Sequence, residues 1–219
     1  MLEQDFAGSI AMLAKLGFRE IEMFGPYGFS DPEQVANWAK IAPSLGFSGS
    51  GFFGKTLADV QSIMRDNGMT VPSMHTDIYT LQSRMGPLAE AAKALGATYV
   101  TLPAIPDEFR KGLDGYRRTA DLFNSIGENA TKNGVKFGYH NHGYGLKAVD
   151  GIVPLDLLLE RTDPAKVLLE MDVFWTVAGG ADPVSYLKRH SGRYRMLHLK
   201  DMRTLRTFSG DGGTADQWI

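Results

Sequence analysis

The chain has 219 residues, with 23 Lys plus Arg against 25 Asp plus Glu for a net charge of −2, and 43% of its residues are hydrophobic. This is globular composition, which excludes disorder and collagen-like structure, and the near-neutral balance argues against a general nucleic-acid or anionic-membrane binder. Cysteine is absent, so disulfides, thiolate metal sites and a Cys nucleophile are excluded, and any metal must be bound by His, Asp, Glu or water.

No apolar run approaches the roughly 18 residues that a bilayer span requires. Met1 leads into Leu2, Glu3 and Gln4 without a signal pattern, so a soluble, cytoplasmic protein is expected. Phe6, Ile10, Leu13 and Leu16 step by three and four and predict a first helix. A strand is predicted over 18–24, a helix over 57–67 and a strand over 70–75. Leu81, Met85, Leu88, Ala92 and Leu95 predict one helix, followed by a strand over 97–102. Leu113, Tyr116, Ala120, Phe123 and Gly127 predict another, followed by strands over 135–140, 167–172 and 194–199. Gly17, Gly46, Gly68, Gly96 and Gly134 stand where apolar-periodic segments give way to β-prone runs, as left-handed residues just past helix ends do.

Six strands alternating with helices imply a parallel sheet, and no linker divides the chain, so one domain over 1–219 is expected. Five of the six strands end in or near ionisable residues: Glu22, His75, His140 with His142, Asp172, and His198 with Lys200. A doubly wound sheet concentrates its chemistry at one switch point, whereas a barrel gathers it from many strand ends. The expected fold is therefore α/β, a TIM (β/α)8-type barrel. Such a barrel needs eight strands, and the chain shows neither an opening strand before Phe6 nor a closing strand in the polar, Gly-rich stretch 201–219. The barrel is expected to be incomplete at both ends. Open sheet edges pair or aggregate, so either the resulting gap is covered by a partner chain, such as a second copy in a homo-oligomer, or by the segment 26–54, or the isolated chain is poorly soluble and lacks turnover.

Three strand ends suggest a metal. In a strand, His140 and His142 share a face while Asn141 points away. The run Leu168-Leu169-Glu170-Met171-Asp172 places a carboxylate after an apolar strand, and Met196-Leu197-His198-Leu199-Lys200 places an imidazole in the same way. Mixed nitrogen and oxygen donors without sulfur suit Mn²⁺, Mg²⁺, Zn²⁺ or Co²⁺.

With these residues the chain resembles the sugar phosphate isomerase/epimerase-like branch of the xylose isomerase-type TIM barrels, which includes inosose dehydratase and endonuclease IV relatives. The resemblance is carried by Ile21-Glu22, Ser73-Met74-His75, Tyr139-His140-Asn141-His142, the run from Glu170 through Trp175 to Pro183, and His198-Leu199-Lys200-Asp201. It implies a divalent metal at the barrel mouth, bound by Glu, Asp, His and a second Glu, that polarises a sugar's oxygens while a base moves a proton on the adjacent carbon. Asp172 and His198 match the middle two ligands. His140 stands where many relatives have the first Glu, so it is either a ligand or the base, with His142 the other candidate base. Glu22, His75, Asn141 and Trp175 match substrate-side positions, and Lys200 a cation near an enediolate oxygen or phosphate. The implied activity is an isomerase, epimerase or dehydratase acting on a sugar, sugar phosphate or inosose. Removing a proton next to a carbonyl needs a base of matched pKa, which His supplies near neutrality, and an electrophile to hold the oxyanion, which a metal supplies.

Other readings compete with this one. Gly49-Ser50-Gly51-Phe52-Phe53-Gly54-Lys55-Thr56 satisfies the P-loop pattern, but a P-loop must leave a buried strand, and the preceding residues are too broken to form one. A non-catalytic barrel that binds a sugar or a partner is a second alternative. An endonuclease IV-like nuclease is disfavoured by the charge.

Overall fold

The structure is a computed structural model that describes residues 4–45, 49–202, 204, 205 and 207. In chain order its elements are α1 (Phe6–Lys15), β1 (Met23–Phe24), α2 (Pro32–Ile41), α3 (Leu57–Asp66), β2 (Ser73–His75), α4 (Ile78–Ser83), α5 (Met85–Leu95), β3 (Tyr99–Leu102), α6 (Gly112–Lys132), β4 (Lys136–His140), α7 (Pro154–Arg161), β5 (Val167–Asp172), α8 (Val173–Ala178), α9 (Pro183–Arg189) and β6 (Tyr194–His198). Each strand lies within a segment predicted from the sequence. The stretch 208–219, expected to carry no strand, lies outside the described residues. By packing, the chain groups into two compact units: Met1–Thr101 with Asn129–Lys136, and Leu102–Glu128 with Phe137–Ile219.

In the first unit β1, β2 and β3 pair in parallel. The predicted strand 18–24 is reduced to its last two residues. An isolated bridge joins Glu20 to Thr70, and pairing resumes only at Met23 and Met74. One extra residue on the second strand and the missing N–H of Pro72 interrupt the ladder between these points. The single helix expected across Leu81 to Leu95 is two helices, broken at Arg84 (φ −128°, ψ 24°). Pro87 has no N–H to donate to the Ser83 carbonyl, and its ring would crowd that carbonyl in a continuous helix. α1 also ends before Leu16, which is exposed. Of the joint glycines, Gly17, Gly68, Gly96 and Gly134 have φ of 100°, 62°, 77° and 80°; Gly46 lies outside the described residues.

The P-loop pattern has another explanation. Ala42–Leu45 is a 3₁₀ turn rather than a strand. The Thr56 hydroxyl accepts from the Asp59 N–H at 3.1 Å while the Asp59 carboxylate accepts from the Thr56 N–H at 3.0 Å. Lys55-Thr56 therefore opens α3 through a capping box.

In the second unit β4, β5 and β6 pair in parallel. α6 lays Phe123 against Phe137 and Tyr139, with both ring pairs at 5.2 Å. One helical turn later Gly127 allows close approach, since a Cβ there would stand 2.4 Å from the Lys166 carbonyl oxygen. Gly127→Ala is expected to cost about 2 kcal/mol, in the range of core overpacking, and chemical denaturation would register it as a lower midpoint with an unchanged slope. No helix among the described residues is long and apolar enough to cross a membrane.

Candidate metal centre

The centre grows from β5, whose six residues are all buried. Glu170 and Asp172 are two residues apart and so share a face of the strand. Parallel pairing places His140 of β4 opposite Glu170 and His198 of β6 opposite Asp172. Along β6 the half-buried Tyr194, Met196 and His198 alternate with exposed Arg195 and Leu197, so His198 turns inward. Two imidazoles and two carboxylates thus meet on adjacent rungs of one face.

Glu170 bridges the two histidines. Its Oε2 stands 2.9 Å from Nδ1 of His140 and its Oε1 3.6 Å from Nε2 of His198. His140 Nε2 stands 3.5 Å from Oδ2 of Asp172, and the Lys200 ammonium donates to that same oxygen. Ligand atoms of His140, Glu170 and His198 all lie within 4.8 Å of one another. Two donors on one tetrahedral cation, with bonds of about 2.1 Å, stand about 3.4 Å apart, and the His140–Asp172 pair at 3.5 Å and the His198–Glu170 pair at 3.6 Å each come close to that spacing. The side chains of Glu170 and Asp172 are 2% and 0% exposed, and carboxylates removed from water so completely require compensating positive charge. The donor set and its charge fit a hard or borderline divalent cation.

Other expected site residues of the second unit fall around this group. The His142 ring lies 5.2 Å from that of His140 and 5.0 Å from Trp175. Trp175 is 1% exposed and packs with Phe174 and Ala178 as a core aromatic, so its indole reaches the centre through His142. Asn141 uses both ends of its amide internally: Oδ1 accepts from the Asp172 N–H at 3.2 Å and Nδ2 donates to Thr176 Oγ1 at 3.1 Å. In the first unit, Glu22 and His75 pair at 3.1 Å. Phe24 lies beside His75 and Trp38 beside Phe24, at ring separations of 6.1 and 5.4 Å. His190 follows α9 and stacks on Tyr186. Glu170 is the residue missing from the site expected from sequence; its two-residue spacing from Asp172 was the available signal.

Residues 10–216 match the model of the xylose isomerase-like TIM barrels. The chain belongs to this family. Among the xylose isomerase-like proteins it resembles is an inosose dehydratase of Geobacillus thermodenitrificans, 39% identical over 84 residues, a match that covers 38% of this chain and 27% of the dehydratase. The chain spans less than half the length of the curated inosose dehydratases it matches. A solved sugar phosphate isomerase/epimerase from Parabacteroides distasonis superposes with a TM-score of 0.74 at 25% identity, covering 97% of this chain and 74% of that one. An IolI protein with a bound zinc atom shares the fold with a TM-score of 0.64 at 15% identity, covering 98% of this chain and 72% of that one.

Proposed function

We propose that the chain is the catalytic part of a divalent-metal-dependent enzyme that moves a proton next to the carbonyl of a keto-sugar or inosose. The observation carrying this reading is the convergence of His140, Glu170 and His198 within 4.8 Å, beside the buried Asp172. The inosose dehydratase and isomerase/epimerase relatives support the substrate class, and the zinc in the IolI protein supports a metal.

In this proposal His140, His198 and Glu170, the last through Oε1, would hold the cation, with Asp172 beside them as a further donor. A bound divalent cation supplies a Lewis acid for the substrate's carbonyl and hydroxyl oxygens. Glu170 accepts from Nδ1–H of His140 and thereby leaves the lone pair on Nε2, the side facing Asp172. Lys200, with its side chain 41% exposed, reaches both Asp172 and the open side and donates to the developing oxyanion. His142, half-buried beyond the end of β4, supplies the imidazole that takes the proton. Trp175 backs that imidazole.

The test joins metal analysis of the purified protein to NMR detection of solvent deuterium entering inososes and keto-sugars beside the carbonyl. About one cation per chain and measurable exchange are expected. His140→Ala should abolish both, whereas His190→Ala should leave both near the parent values. Equal losses in the two variants, or a chain that takes up no cation, would contradict the proposal and favour a barrel that only binds.

A further inference from the structure

We infer that Asn141 is a positioning residue that aims Asp172, rather than a contact to the sugar; this rests on the proposed metal-dependent function. Asn141 is nearly buried, at 5% exposed, and Thr176 likewise at 2%. The Asp172 N–H donates to Asn141 Oδ1 at 3.2 Å, Asn141 Nδ2 donates to Thr176 Oγ1 at 3.1 Å, and Thr176 Oγ1 donates to the Asp172 carbonyl at 2.8 Å. These three bonds form a closed ring that holds both backbone polar groups of Asp172.

The side chain of Asp172 is held in turn. Its Oδ1 accepts from the Trp175 N–H at 3.0 Å, capping α8, and this leaves Oδ2 as the oxygen that faces His140 Nε2 and Lys200. The ring also ties the end of β4 to the corner between β5 and α8, so it sets the distance between His140, the neighbour of Asn141, and the carboxylate. Removing Asn141 would leave the Asp172 N–H without its acceptor in a dry environment and let the corner shift. A metal centre is sensitive to such shifts: loss of an outer partner typically weakens metal affinity 10- to 100-fold. A residue that touches only the sugar would leave that affinity alone.

The experiment is a titration of metal-stripped protein with Co²⁺, followed by its visible absorption, on the parent chain and on Asn141→Ala, Thr176→Val and Thr176→Ser. Asn141→Ala and Thr176→Val should weaken Co²⁺ binding about 10- to 100-fold. Thr176→Ser, which keeps the hydroxyl, should restore it to within a few-fold of the parent. Near-UV circular dichroism checks the fold. Should Asn141→Ala not fold, the nearly isosteric Thr176→Val decides by the same criterion. Parent-like Co²⁺ affinity in the folded variants overturns the inference while leaving the proposed function standing. A parent chain that binds no Co²⁺ removes the proposed function, and the inference with it.

Discussion

Glu170→Gln is expected to lower divalent-cation affinity at least about 100-fold, equivalent to about 2.7 kcal/mol, and to reduce deuterium exchange into substrate at least as much. The substitution keeps the volume of a side chain that is 2% exposed, so packing should survive. Two things change. The buried negative charge is lost, and with it the attraction for the cation. The amide can also turn its NH₂ toward Nδ1 of His140, now 2.9 Å from Oε2, which favours the tautomer with the proton on Nε2 and removes the lone pair facing Asp172. Calorimetric titration with Zn²⁺ and a thermal melt on the same sample distinguish lost binding from lost folding. Tight Zn²⁺ binding by the folded variant would show that Glu170 is a bystander.

Arg193 should dominate stability in the second unit. It is buried at 8% exposed. Its guanidinium donates to the Leu159 carbonyl at 2.6 Å, to Thr162 Oγ1 at 2.7 Å and to the Val167 carbonyl at 3.0 Å. It thus joins α7, the following turn and the first residue of β5, and burial pushes its pKa below the ordinary arginine value. Arg193→Met fills much of the space but leaves these acceptors without their donor, at about 1 to 3 kcal/mol for each buried one. A total loss of about 3 kcal/mol is expected, and the melting temperature of a chain this long should fall by about 6 to 12 °C. Arg193→Lys should recover little, because one ammonium cannot span the acceptors that the planar fork reaches. A melt within about 2 °C of the parent would show that water replaces the guanidinium at no cost.

The parts of the fold legible in the sequence are those set by local chemistry. Apolar runs punctuated by glycine located the strands, because a left-handed residue after a helix is a local requirement, met with φ between 62° and 100° at Gly17, Gly68, Gly96 and Gly134. Proline acts against the periodic pattern: Pro72 shortens β1 and Pro87 divides the helix from Leu81 to Leu95.

Period-two alternation assigns His140 and His142 to one face from the sequence alone, and the same rule applied to β5 joins Glu170 to Asp172. The sequence could not decide which residues stand opposite one another across strands. Parallel strands are connected through helices, so their register follows from how those helices pack rather than from any nearby turn. Only the tertiary structure therefore put His140 opposite Glu170 and His198 opposite Asp172, and only it closed the Asn141 amide on the Asp172 backbone. The residue types of the centre were written in the chain, whereas the central place of Glu170 came from register, a property of packed strands in contact.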